Sequence, residues 1–193
     1  VNPQHLWTNA GARPGDHLIL TKALGTGTMT AGVKRQQLHE ADIIEALDSM
    51  ATLNNAMDSM TPDLQAAVHA ATDITGFGFS GHAVQLAHAS EVTLHIETAN
   101  LPRFDKAFYC LEQGFLTKAH RTNAEYTTPH IDVSSLDALH NLLIHDPQTS
   151  GGLLLSVAPD ASQTMLQALR LRFQAAAVIG IVQPRQDKAV HFA

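Results

Sequence analysis

Three glycine-centred turns, each beside a strand-length apolar run or an amphipathic stretch, limit what this chain can fold into. TDITGFGFSGH at residues 72–82 places Gly76, Gly78 and Gly81 at the head of an amphipathic stretch. HDPQTSGGLLL at 145–155 sets an Asp-Pro turn start and Gly151-Gly152 before an apolar run, and TKALGTGT at 21–28 follows directly on the apolar segment 17–20. Glycine lets two backbones approach with no Cβ between them, and Asp-Pro starts a turn. Strands alternating with helices then give an α/β fold, an α+β sandwich in which helices cover one face of a mixed sheet.

Apolar periodicity fills in the elements. Strands are predicted over 16–21, 92–96, 153–157 and 177–182, with a last one over 189–192. A long helix over 40–60 is predicted from Ile43, Ile44, Leu47, Met50, Leu53 and Met57, and a short helix over 63–71 opens at Thr61-Pro62. Further helices are predicted over 77–89, over 103–113 with Gly114 as its stop, over 135–144 capped by Ser134 or Ser135, and over 160–173. Residues 116–134 are polar and without a period, which reads as a long loop able to close over a site.

At 193 residues and 45% hydrophobic, the chain is long enough for one core. The net charge of −6 and the lack of a Lys/Arg run argue against a nucleic-acid surface. No segment reaches the roughly 18 to 20 apolar residues of a membrane helix. Cys110 is the only cysteine, so there is no internal disulfide and no thiolate zinc cluster, in keeping with a reducing, cytoplasmic setting. It sits among Phe104, Ala107, Phe108, Leu111 and Phe115 at helical spacing and reads as a buried small side chain. The twelve histidines lack zinc-helix spacing: His82 and His88 are six apart, His140 and His145 five apart.

The chemistry concentrates at 72–82. Asp73 offers a hard oxygen ligand for a cation such as Mg²⁺, or else a turn or helix cap. Thr75, Gly76 and Gly78 offer hydroxyl and N–H donors at a helix N-terminus, where phosphate oxygens are favoured, or else form a tight turn with no ligand. His82 either packs against the loop or reaches a phosphate or water near Asp73. Lys22 reads equally as a phosphate contact or a solvated side chain, and Asp146, Thr149, Gly151 and Gly152 as shaping a turn beside a domain interface.

In order and wording, GARPGDHLILTKALGTG (11–27), TDITGFGFSGH (72–82) and DPQTSGGLLLSV (146–157) resemble the C-terminal half of selenophosphate synthetases, the selenide, water dikinases. The resemblance runs from about residue 11 to 182, with a weaker match at Arg121 to Asn123. The first two motifs also occur, less closely worded, in aminoimidazole ribonucleotide (AIR) synthetases, thiamine-monophosphate kinases and hydrogenase maturation proteins; DPQTSGG favours the selenium enzymes. The resemblance implies an AIR synthetase-like C-terminal domain at 16–193, with 1–15 as a linker from a preceding domain that bears the reactive cysteine or selenocysteine, a glycine-rich ATP loop and further metal-binding aspartates. It also implies ATP and selenide as substrates, selenophosphate, AMP and phosphate as products, Mg²⁺ as cofactor with Asp73 as a ligand, and a homodimer when complete. The chain starts with Val1, so it reads as a fragment with no catalytic residue of its own, inactive alone. Two alternatives stay open: the C-terminal domain of another ATP-using relative, or a non-catalytic docking module. The three turns are expected to lie together at one side of the sheet, with 116–134 nearby.

Overall fold

The computed structural model describes residues 6–193. Seven strands, β1 (His17–Leu20), β2 (Val68–Asp73), β3 (Val92–Ile96), β4 (Ile131–Asp132), β5 (Leu153–Val157), β6 (Ala177–Pro184) and β7 (Val190–Phe192), form one mixed sheet in the order β2-β5-β1-β6-β3-β7-β4. Pairing is antiparallel from β2 across to β3, and parallel between β3 and β7 and between β7 and β4. Eight helices accompany it: α1 (Thr26–Lys34), α2 (Ile44–Ala51), α3 (Pro62–Ala66), α4 (Gly78–Ala89), α5 (Ala107–Glu112), α6 (Lys118–Thr127), α7 (Ala138–His145) and α8 (Ser162–Arg170). Among the described residues no helix is long and apolar enough to cross a membrane.

The central strands β1 and β5 are mostly apolar because both of their faces are covered. Leu18, Leu20 and Leu154 face the main core, which the layer of α1, α4, α5 and α7 closes with Met29, Phe79, Leu86, Leu111 and Leu143. Ile19, Leu155 and Val157 point the other way, into a smaller core closed by Met165, Leu166 and Leu169 of α8 together with Phe173. The helical layer expected on one face is therefore present, with α8 added on the other. At roughly 1.5 to 3 kcal/mol per buried side chain, the residues of β1 and β5 alone supply a sizeable share of the driving force.

Four local readings need correction. Residues 40–60 do not form one helix: a 3₁₀ turn at Glu40–Ile43 leads into α2, and the chain leaves the helix at Thr52, whose backbone is extended. The cause is tertiary, since Lys22 Nζ donates to the Thr52 carbonyl (2.7 Å) and Asn54 Nδ2 to that of Gly151 (2.7 Å), drawing 52–54 toward the glycine turns. Residues 63–71 are a helix only to Ala66; β2 follows, its alternating burial overriding alanine's helical preference, and Ala71 N–H donates to the Thr8 carbonyl on its free edge (2.8 Å). Residues 116–134 are not a loop but α6, a 3₁₀ turn and β4. The buried stripe of α6, His120, Asn123 and Thr127, keeps helical spacing in polar side chains, which an apolar search passes over. Helix α1 has no apolar stripe to announce it, being buried through Thr26, Gly27, Thr28, Met29, Ala31 and Gly32, and Asp137 caps α7 in place of Ser134 or Ser135.

Of the segment 1–15, residues 1–5 lie outside the described residues. Trp7 Nε1 donates to the Gln65 carbonyl (3.1 Å), and Ala12 N–H to Ser90 Oγ (3.1 Å).

Candidate functional site

The three turns meet at one end of the sheet, where β1 and β2 finish and β5 begins. Ile74 N–H donates to the Gly152 carbonyl (2.8 Å), Gln148 N–H to that of Thr75 (3.0 Å), and Thr149 N–H to Thr26 Oγ1 (2.9 Å). A Cβ on Gly151 would stand 2.3 Å from the Ile74 carbonyl oxygen, so this approach requires glycine. Gly78 is held by its left-handed backbone (φ +70°) and by the main chain of 144–146 beside it. Helix α6 lies alongside: Asn123 Nδ2 donates to the Gly76 and His145 carbonyls, both at 3.0 Å.

Asp146 and Gln148 cap α1 from across the fold. Gln148 Oε1 accepts from Gly25 N–H (3.1 Å), Thr26 N–H (3.2 Å) and Thr26 Oγ1 (3.0 Å), and Asp146 Oδ2 accepts from Gly27 N–H (3.1 Å). These are the orphan donors that open any helix, and α1 has no side-chain cap of its own. Gln148 Nε2 also donates to Asp146 Oδ2 (2.9 Å), which fixes the two side chains to each other. Asp146 does more than shape a turn.

The 73–78 loop faces outward from this base. Asp73 is exposed and makes no hydrogen bond or ion pair among the described residues, so its carboxylate is free to bind a cation. The N–H groups of Thr75, Gly76 and Phe77 have no acceptor among the described residues, and they run into the N-terminus of α4. Nothing stands within 4 Å of where a Gly76 Cβ would be, so the fold does not demand glycine there. Gly78 serves the fold, whereas Gly76 leaves bare backbone beside Asp73. His82 packs against this loop: its Nε2 lies 3.0 Å from Thr75 Oγ1 and its ring 5.9 Å edge-on from Phe77. Burial lowers its pKa while the nearby Asp73 charge raises it, with burial the larger effect.

Behind the loop lies a buried polar cluster that sequence reasoning missed. Burial lowers the pKa of His120 and of His145 to about 4 each and raises that of Asp146 to about 7, the last opposed by the Gln148 and Gly27 donors. His120 Nε2 lies 3.2 Å from Asp146 Oδ1 but outside hydrogen-bonding geometry. His145 Nδ1 sits 2.9 Å from Ser80 Oγ, and no carboxylate pairs with it among the described residues. Unfolded, this imidazole takes up a proton near pH 6.5; folded, it does so only near pH 4. Between those values the unfolded chain binds more protons, so this contribution is complete above pH 6.5 and is lost as pH falls toward 4. Asp146 acts in the opposite sense over an overlapping window, so only a difference measurement isolates the histidine. Urea denaturation across that window is expected to show a shallower acid loss of stability for His145→Asn than for wild type. Equal slopes would contradict this assignment.

Lys22 is not solvated: it is 4% exposed and its Nζ donates to the Thr52 (2.7 Å) and Ser150 (3.0 Å) carbonyls. Arg121 is exposed and lies 3.7 Å from Glu125, one helical turn on. Cys110 is buried as expected, and burial pushes its thiol up to about 11, which removes it as a nucleophile. Among the described residues no cluster of three or more His, Cys, Asp or Glu side chains could hold a metal ion. Asp73 can offer a cation one carboxylate, and the described residues gather no fuller set of side-chain ligands around it.

Residues 13–193 match the family model described as AIR synthase related protein, C-terminal domain. The chain belongs to this family. Among curated proteins, this AIR synthase related domain is 74% identical over 192 residues to a selenide, water dikinase of Nitrosomonas eutropha and 66% identical over 192 residues to one of Bdellovibrio bacteriovorus. Each match takes in the whole of this chain and 55% of the relative, so the chain spans about half the length of these proteins. Among solved structures, a hydrogenase maturation protein HypE superposes with TM-score 0.66 at 18% identity, over 95% of this chain and 48% of that one. A thiamine-monophosphate kinase from Stenotrophomonas maltophilia K279a gives 0.61 at 18% identity, over 100% and 54%. These likenesses establish the AIR synthetase-like fold.

Proposed function

We propose that this domain is the C-terminal part of an ATP-dependent selenide, water dikinase, which converts selenide and ATP to selenophosphate, AMP and orthophosphate. The observation that carries the reading is the high identity, along the whole chain, to proteins of that name. Geometry supports it, because a free carboxylate and a run of unpaired N–H groups at a helix N-terminus suit a metal-bound polyphosphate. In this reading Asp73 contributes one oxygen to Mg²⁺ and the N–H groups of Thr75, Gly76 and Phe77 meet phosphate oxygens, while that of Gly78 is held by the Thr75 carbonyl (3.0 Å). Mg²⁺, when bound, neutralises phosphate charge that this acidic chain would otherwise repel.

His82 and Asn123 hold the loop in place, one through Thr75 and the other through the Gly76 carbonyl. Selenide, the reactive cysteine or selenocysteine and the remaining metal ligands belong to the preceding domain in this reading, and the complete protein is a cytoplasmic homodimer. The test is release of AMP or ADP from ATP and Mg²⁺ by the complete protein, with selenide or with thiamine monophosphate as acceptor. AMP formed only with selenide supports the reading, and this chain alone is expected to form none. Phosphorylation of thiamine monophosphate, or turnover by this chain alone at the rate of the complete protein, would overturn it.

A further inference from the structure

A cleft of about 550 Å³ lies not at Asp73 but past the end of β1, where Thr21, Lys22, Arg103 and Arg172 line it. Neighbouring strands are about 4.8 Å apart and β5 separates β1 from β2, so its floor is about 10 Å from the end of β2. No residue of 73–78 lines it. The two regions share an edge of the sheet without overlapping.

One buried donor in this cleft keeps a proton unused. The Lys22 ammonium has three N–H groups and gives two of them to the Thr52 and Ser150 carbonyls. Arg172 and Arg103 add guanidinium groups, the latter stacked 4.2 Å over the Phe108 ring. None of these three cations is paired with a carboxylate among the described residues.

Glu45, Asp48 and Asp105 line the same cleft and, like Arg103 and Arg172, are exposed, so water and salt screen all five of these charges. Lys22 is shielded from that screening, so its field on the cleft is the stronger one. Burial and the neighbouring Arg172 both lower the Lys22 pKa, a strain that a bound anion would relieve.

We infer that this cleft binds a phosphate group, held by the third Lys22 N–H and the Arg172 guanidinium. An ammonium and guanidinium groups lining one cleft suit a tetrahedral oxyanion, and the volume leaves room for a small organic group attached to it. The site goes beyond the dikinase reading and does not rest on it, since binding can be followed without turnover.

The experiment is calorimetric titration of this chain, at low salt and neutral pH, with inorganic phosphate and separately with phenyl phosphate. Saturable binding is expected, and the stronger of the two probes identifies whether free phosphate or a monoester is the natural occupant. Arg172→Gln, an exposed substitution that spares the fold, is expected to weaken binding about tenfold, the equivalent of one charge-assisted hydrogen bond. Lys22→Met is expected to abolish it, and Asp73→Asn to leave it unchanged. No saturable binding of either probe, binding indifferent to Arg172→Gln, or binding lost with Asp73→Asn would each overturn the assignment.

Discussion

Asp73→Asn in the complete protein is expected to lower turnover with ATP and selenide by about a hundredfold or more, roughly 3 kcal/mol of transition-state stabilisation, while leaving thermal stability unchanged. The two halves of this expectation have separate causes. The carboxylate is exposed and bonds to nothing in the fold, so an isosteric amide costs the folded state nothing. The same freedom is what a metal ligand requires, and the amide lacks the charge to serve as one. Steady-state AMP release at several Mg²⁺ concentrations, beside a melting curve, measures both. Wild-type turnover and Mg²⁺ dependence would reduce Asp73 to a turn residue.

Gln148→Ala is expected to destabilise the domain by about 3 kcal/mol or more. One side-chain oxygen serves two N–H groups and a hydroxyl at the start of α1, and one amide nitrogen holds Asp146. Each buried donor left unpaired costs about 1–3 kcal/mol, and truncation strands three of them together. The DPQ turn and α1 should loosen as a unit, since Asp146 loses its own anchor at the same time. Urea denaturation measures the change in unfolding free energy, and a loss under about 1 kcal/mol would mean that water replaces the cap.

The strands carried mainly by apolar residues are legible in the sequence. HLIL, LLLSV and VTLHI state their strands because both faces or one whole face must be buried. Helix α4 was legible because glycines stop at its start and an apolar stretch follows. Elements whose burial is made of small or polar side chains were not. Helix α1 is buried through threonine and glycine, α6 through His120, Asn123 and Thr127, and β2 through alanine and valine, so none displays the period that its contacts obey. The break after α2 was illegible for another reason: it is set by Lys22 and Asn54 reaching distant carbonyls.

The site divides in the same way. Asp73, Thr75, Gly76 and Gly78 were found because a carboxylate among glycines has a distinctive chemistry. Gln148 was passed over inside its motif, though an amide between Asp-Pro and Thr-Ser is a signal that a cap residue is present. His120 and His145 gave no signal, because their significance comes from burial beside Asp146 and Ser80, residues brought to them by the packing of α6 and α7 against α4.

The central claim is that Asp73 and the bare backbone after it form one wall of a nucleotide site completed by the rest of the protein. A crystal structure of the complete protein with Mg²⁺ and a non-hydrolysable ATP analogue tests it most directly. The account predicts an Asp73 carboxylate oxygen at about 2.1 Å from a magnesium ion, with phosphate oxygens within hydrogen-bonding distance of the 75–77 amides. A fully ligated metal and nucleotide with Asp73 left in solvent would contradict it.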